Sequence, residues 1–491
     1  MDLSETVRRR EGNRRFARLV SLLVLTSVIM LSAVFEWRRT TAEPTGVVII
    51  TLDTTRADRL SPYGFMDVAM PALDALARDG VLFDQAISVA PLTLPAHTSL
   101  FTGLFPPNHR VSDNADPPLA GDYTTLAEIL RTKGFKTAAF VGSTVLAPDR
   151  GLAQGFDRYS APEIDRVPPA RGQRPANEVI EEAMDWLAGV GDSRFFMWAH
   201  LYDAHRPYDP PEPYAGTPDP YLGEMVFADS QIGRLIDVLR LRGLLDRTIV
   251  VVAGDHGESL GEHGERDHGV FLYDSVLRVP LIARVPGIEP RRIGPVVRLI
   301  DVMPTILQLL DVQTPHLDGV SLVDLMNGGQ RTAELPAFSQ SLYPQRFGWS
   351  PLHGLREGRY KAIDAPRPEL YDLDLDPLEQ RNIYDQHRSL ATAMIERVRV
   401  MAKPSASAAS DQRTDPNDVL ARLSSLGYVG SPRVEPSPDG ESLPDPKDCV
   451  GLHPVFDEQW LFRPPAANGS AATAPSACRR GAGEPRELHD R

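Results

Sequence analysis

From Val47 onward, short apolar runs alternate with longer amphipathic stretches. The runs "VVIIT" (Val47–Thr51), "KTAAFV" (Lys136–Val141), "RFFMWAH" (Arg194–His200), "TIVVVAG" (Thr248–Gly254) and "VPLIAR" (Val279–Arg284) have strand length. Several are apolar at nearly every position rather than at every second one. That pattern belongs to strands covered on both faces by helices, the usual state of a largely parallel sheet. The stretches between them, "MPALDALARDG", "YTTLAEILRTKG", "ANEVIEEAMDWLAGV" and "ADSQIGRLIDVLRLRG", are helical candidates, and all but the third end in glycine at the expected stop. The alternation predicts an α/β fold: a three-layer sandwich with a large, mostly parallel central sheet over 46–330. After about Gly329, "LHGLREGRYKAI" and "PELYDLDLDPLEQRNIY" suit strands and a turn, with a helix near Gln386–Met401. These predict a small C-terminal α+β subdomain over 331–403. The remainder, 404–491, is rich in Ser, Ala, Pro and Asp and is expected to be mostly disordered.

One apolar run falls outside this rhythm. "LVSLLVLTSVIMLSAVF" (Leu19–Phe35) has no charge and follows Arg8, Arg9, Arg10, Arg14, Arg15 and Arg18. It is at the short end for a hydrocarbon core of about 30 Å. The basic cluster predicts that 1–18 stays cytoplasmic, that 19–37 is a transmembrane anchor, and that the rest is periplasmic or extracellular. A cleaved signal peptide is the competing reading, and no clear A-x-A site supports it. The net charge of −14 argues against nucleic acid as a partner, because a basic field is what holds a phosphate backbone. Cys449 and Cys478 are the two cysteines, both near the C-terminus. The core therefore has neither a disulfide framework nor a cysteine metal site.

The chemistry gathers where strands end. Ligands in open α/β sheets bind beyond the carboxyl ends of the strands. Asp53 follows the first run, Asp203 and His205 the third, and Asp255 and His256 the fourth. Asp and neutral His together suit Zn, Mn or Fe, whereas carboxylates alone suit Ca or Mg. Thr93, in "APLTLPAHTSLFTGLFPPNH" (Ala90–His109), stands two residues before Pro95, a spacing that suits the first turn of a helix. A hydroxyl there faces any anion drawn to the helix N-terminus. Threonine is a poor nucleophile unless a cation lowers its pKa.

Four segments together carry a family resemblance: "TLDTTRADRLSPYG", "APLTLPAHTSLFTGLFPPNH", "HLYDAHRPYDPP" and "GDHGESLGEHGERDHGVFLYDSVLRVPLI". They resemble the sulfatase branch of the alkaline phosphatase superfamily, and the likeness runs over roughly Val47–Ile383. In most sulfatases the nucleophile motif is C-x-P-x-R or S-x-P-x-R, and the Cys or Ser becomes formylglycine. Here it is Thr93-Leu94-Pro95-Ala96-His97. The methyl on threonine Cβ means that the same oxidation would give a ketone, so the aldehyde-hydrate route is closed. T-x-P-x-H is similar to the nucleotide pyrophosphatase/phosphodiesterase branch, in which threonine itself attacks phosphorus.

The resemblance implies a set of roles. Thr93 and His97 take the catalytic positions. Asp53, Asp255, His256 and Thr93 hold one metal, and His268 with Asp203 or His205 completes a second if there is one. His205 alternatively touches the substrate. Arg56 binds the anion or pairs with an acid such as Asp58. Glu258, Glu262 and His263 are left as a solvated loop, and His109 as structural. The cofactor is one or two divalent ions (Zn, Mn or Ca), and the substrate a small-molecule, glycan or lipid ester. The leading activity is hydrolysis of phosphate mono- or diesters through a covalent threonyl intermediate. The alternatives are a sulfatase acting without formylglycine and a membrane-anchored phospho-group transferase.

Overall fold

The computed structural model describes residues 44–162, 173–331, 334–404, 433–434, 443–450 and 478. Its strands are β1 (Gly46–Leu52), β2 (Val81–Ile87), β3 (Lys136–Val141), β4 (Arg158–Ser160), β5 (Phe195–Leu201), β6 (Thr248–Gly254), β7 (Arg278–Val279), β8 (Leu281–Arg284), β9 (Arg291–Arg298), β10 (Ala337–Ser341), β11 (Leu352–Glu357), β12 (Tyr360–Asp364) and β13 (Glu369–Asp372). The helices that matter below are α1 (Pro71–Arg78), α2 (Thr93–Thr102), α3 (Leu126–Thr132), α4 (Ala176–Ala188), α5 (Pro220–Leu241), α6 (Val302–Leu309) and α7 (Arg388–Met401).

The first strand shows why a run of unbroken apolar residues becomes the centre of the sheet. Val47 and Ile49 point into one core, shared with α2, α3 and α6. Val48 and Ile50 point into the opposite core, shared with α1, α4 and α5. Each of these four residues in turn faces a helical layer, and all four are apolar. The large sheet has nine strands in the order β4-β3-β5-β1-β6-β8-β2-β7, with β9 also paired to β2. Strand β1 runs parallel to both β5 and β6, and β8 joins antiparallel. The expected mostly parallel α/β sandwich is present. Three of its strands, β2, β4 and β9, were not among the runs identified from sequence, because all three mix polar residues into the run; Asp84 of β2 pairs with Arg292 of β9.

The C-terminal region forms a separate antiparallel sheet, β10-β11-β12-β13. Ala391, Met394, Ile395 and Val398 of α7 pack there against Phe338, Leu355, Ala362 and Leu370. Most of the tail expected to be disordered lies outside the described residues. Within them, Cys449 and Cys478 form a disulfide, and Cys449 is buried.

The expectation of a single-pass membrane protein is corrected. The segment 19–37 lies outside the described residues, and among the described residues no helix is long and apolar enough to cross a membrane. The longest helix of those above, α5, carries Arg234, Asp237 and Arg240 outside its buried face and Glu224 and Asp229 within it, so it is not apolar along its length.

Candidate active site

Register brings the strand-end acids together. Leu52 of β1 pairs with Leu201 of β5 and Gly254 of β6, so Asp53, Tyr202 and Asp255 leave the sheet side by side. The backbone continues the ladder for one more step, Asp53 N to Leu201 O at 2.9 Å and Asp255 N to Leu52 O at 3.2 Å. His256 Nδ1 lies 2.9 Å from Gly257 O. A ring nitrogen can only donate to a carbonyl, so Nδ1 carries the proton and Nε2 presents a lone pair. That Nε2 is 3.4 Å from Thr93 Oγ1, 3.5 Å from Asp53 Oδ1 and 3.6 Å from Asp255 Oδ2.

All four side chains are buried. Oδ1 of Asp53 and Oδ2 of Asp255 have no hydrogen-bond partner among the described residues, and Asp53 Oδ2 has His200 Nε2 3.2 Å away. Unpaired buried carboxylates are costly, and two together repel. Burial and the neighbouring Asp53 push the Asp255 carboxyl well above its ordinary range. Burial also opposes ionisation of Asp53, but His200 and His256 outweigh it and hold that carboxyl low. Orphaned carboxylate oxygens facing an imidazole lone pair fit a divalent cation, and Asp53, Asp255 and His256 offer donor atoms within 4.8 Å of one another.

Thr93 opens α2, after the extended Leu92. The next N–H, that of Leu94, donates to Asn114 Oδ1 at 2.9 Å, while Asn114 Nδ2 has no partner among the described residues. One turn on, His97 Nδ1 lies 2.8 Å from Thr93 O, and its Nε2 lies 2.9 Å from Thr51 Oγ1. Trp198 Nε1 donates to the same Thr51 oxygen at 2.9 Å. Tryptophan can only donate, so Thr51 gives its own proton to His97 Nε2, and His97 is neutral with its proton on Nδ1. Burial agrees, pushing the imidazole down to about 3. His97 therefore has both nitrogens committed beneath Thr93 and no proton aimed at a substrate.

A second cluster lies alongside. Glu258, expected on a solvated loop, is instead completely buried. Its Oε1 is 3.0 Å from His268 Nδ1, and Asp267 Oδ1 is 2.9 Å from the same nitrogen. The His268 ring sits 4.4 Å from the ring of His256 and 5.0 Å from that of His205. His205 stacks on Tyr202 at 4.4 Å. Burial alone would lower the His268 pKa, but Asp267 and Glu258 override it and raise it well above the ordinary value.

Other expected residues lie elsewhere or are occupied. Asp203 turns away from both clusters and accepts from Ala176 N at the start of α4, at 3.0 Å. Arg56 forks onto Asp58 at 2.9 and 2.8 Å and reaches Glu262 at 2.7 Å, so its guanidinium is held by acids. Glu262 is thus an ion-pair partner, and His263 stacks on Tyr273 at 3.6 Å, so neither is simply solvated. His109 bonds Ser99 Oγ at 2.7 Å inside the core. Residues not singled out from sequence are His200, whose Nε2 is 3.2 Å from Asp53 Oδ2, together with Asp267, Tyr202 and Asn114. His200 had a usable signal, since it closes a strand whose end had to meet that of β1.

A mostly parallel sheet between helical layers, with acids, imidazoles and a helix-opening threonine at its carboxyl edge, defines an ester hydrolase of the alkaline-phosphatase-like class. The chain belongs to the sulfatase family, whose model matches residues 45–312; a second model, N-sulphoglucosamine sulphohydrolase C-terminal, matches 261–403. Sulfatase-family enzymes use a divalent metal ion. Among curated relatives, the choline-sulfatase of Rhizobium meliloti is 28% identical over 442 residues, covering 71% of this chain and 84% of the relative. The ulvan-active sulfatase of Formosa agariphila is 26% identical over 398 residues, covering 70% and 78%. Among solved structures, the phosphonate monoester hydrolase of Agrobacterium radiobacter shares the fold with a TM-score of 0.64 at 23% identity, covering 73% of this chain and 95% of that one.

Proposed function

We propose that this sulfatase-family hydrolase cleaves phosphoric esters, with Thr93 Oγ1 as the attacking atom. The observation that carries the reading is the Thr93 hydroxyl, 3.4 Å from His256 Nε2 and beside the orphaned oxygens of Asp53 and Asp255. Asp53, Asp255, His256 and Thr93 would hold a divalent ion, and their mixed carboxylate and imidazole donors suit Zn or Mn better than Ca. That ion, when bound, would favour the ionised hydroxyl and offset charge on the ester oxygens. Thr93 Oγ1 then bonds to phosphorus as the bond from phosphorus to the leaving oxygen breaks. The proton of Thr93 is lost, and the leaving oxygen gains one. Water next attacks the same phosphorus and frees Thr93. His97 acts as a positioning residue, holding the carbonyl of Thr93 from below. His205, stacked on Tyr202, is assigned to the substrate oxygens.

A second reading is sulfuric ester hydrolysis by the same threonine. The sulfatase names of the relatives favour it. The methyl of Thr93 weighs the other way, because it closes the aldehyde route. The test is turnover by the purified full chain of paired aryl phosphate, aryl phosphodiester and aryl sulfate substrates with added Zn²⁺, Mn²⁺ or Ca²⁺. The expected result is a phosphate ester preferred over the sulfate by about tenfold or more in kcat/KM. The reverse order would replace the first reading with the second. Thr93→Ala should reduce turnover to background while the melting profile stays cooperative; full activity in that variant would remove the nucleophile assignment.

A further inference from the structure

We infer that the cavity walled by Tyr202, Asp203 and Glu224 binds a primary ammonium group, so that the substrate is an ester whose organic part carries an amine. The inference rests on the proposed function above for the ester and adds the class of its organic part.

The cavity measures about 250 Å³. Two carboxylates in its wall are each half engaged. Asp203 Oδ1 accepts from Ala176 N at 3.0 Å, and its Oδ2 is buried with no partner among the described residues. Glu224 Oε1 accepts from Asp209 N at 2.7 Å, and its Oε2 has no hydrogen bond among the described residues. Glu224 is only 5% exposed, on the stretch of α5 that also buries Tyr221, Leu222, Met225 and Phe227. A carboxylate in such surroundings is costly unless a donor or a cation meets it. Burial, and then Asp203, push the Glu224 carboxyl up to about 8.

The other charged groups in the wall do not supply that cation. Asp209 is a further acid. The guanidinium of Arg174 is spent on Glu182 at 2.6 Å, Ser160 Oγ at 3.0 Å and the carbonyl of Val141 at 2.9 Å.

The walls decide between kinds of cation. Zinc favours imidazole and thiolate, and Ca²⁺ or Mg²⁺ takes six or more oxygen ligands. The described lining residues include no histidine or cysteine, and Pro175, Pro207, Pro211 and Phe227 make much of the wall apolar. Such a wall suits the carbon arm of an organic cation. A quaternary ammonium has no N–H and is best held by an aromatic cage. Unpaired carboxylate oxygens call instead for N–H donors, and a primary ammonium carries three.

Tyr202 joins this cavity to the site. It lines the cavity and stacks on His205 at 4.4 Å, the residue assigned above to the substrate oxygens. Asp203 follows it directly in the chain.

The test uses three nitrophenyl phosphodiesters, with an aminoethyl, a propyl or a trimethylammonioethyl group as the second ester, turned over by the metal-loaded full chain. The aminoethyl ester should exceed the propyl ester by about tenfold or more in kcat/KM, with the trimethylammonioethyl ester near the propyl one. Glu224→Gln and Asp203→Asn, each checked for cooperative melting, should lose the aminoethyl preference. Equal turnover of the aminoethyl and propyl esters, or a preference for the trimethylammonioethyl ester, would overturn the ammonium site and leave the proposed function standing. If none of the three is turned over, butylammonium decides the cavity by itself. Saturation transfer from protein to amine in the wild type, lost in Glu224→Gln, supports the site, and no transfer in the wild type overturns it. The proposed function is then judged on the aryl esters above. If both variants fail to fold, the wild-type preference decides alone.

Discussion

Thr51 lies under Thr93, the proposed nucleophile, and sets its support. It accepts from Trp198 and donates to His97, which in turn donates to the carbonyl of Thr93. Thr51→Val should leave two buried polar groups unpaired, at a cost of about 1–3 kcal/mol, and should also lower kcat through a shifted Thr93. Thermal melting and steady-state kinetics on the same preparation check both effects. Histidine burial also sets a pH dependence. Burial pushes His97 and His109 down to about 3, whereas an exposed histidine titrates near about 6.5. Between those values the unfolded chain binds protons that the folded chain refuses, so stability falls as pH drops through that window. His109→Gln should make the fall shallower by up to about 1.4 kcal/mol per pH unit, read from urea midpoints across the window. At this scale the sequence was partly legible. Thr93 and His97 share one motif, but the Thr51 that fixes the tautomer of His97 is 46 positions away.

Elements differ in how plainly their residues announce them. Strands β1 and β6 are apolar at nearly every position because both faces are covered. Helix α2 is harder to see from pattern. All ten of its residues are buried, so it has no polar stripe to give a period. The C-terminal sheet is tied to the catalytic layer by Asp274, which meets Arg356 at 3.0 Å and Lys361 at 2.9 Å, with Lys361 also 2.7 Å from Glu379. Lys361 and Arg356 are both buried. Asp274→Ala should leave the buried Arg356 without its acid and Lys361 with Glu379 alone, destabilising the protein by about 3–5 kcal/mol, seen as a lower Tm or as early loss of the C-terminal sheet in hydrogen exchange.

For the whole molecule, the carboxyl edge of the large sheet stores repulsion that a cation relieves. Chelation should therefore remove activity and lower Tm together. Adding Zn²⁺ or Mn²⁺ at about 100 times its Kd should restore about 2.7 kcal/mol of stability. Activity or Tm indifferent to chelator would contradict the metal reading. The same edge explains which site residues were legible. Acids that directly follow apolar runs, Asp53 and Asp255, were visible because strand ends are where ligands gather. Glu258 was not, since a charged residue in a glycine-rich loop has the composition of a solvated turn; only its packing against His268 and Tyr208 shows otherwise.

Taken by itself, the sequence determined the layered α/β architecture, the threonine in the motif proposed to carry the nucleophile, and the first set of residues proposed as ligands. All of these depend on local periodicity or on short motifs. Tertiary structure alone decided that Asp203 faces away, that Arg56 is held by acids, and that Glu258 and Asp267 flank His268. Those outcomes depend on strand register and loop return, which bring distant residues together by distances that no local pattern encodes.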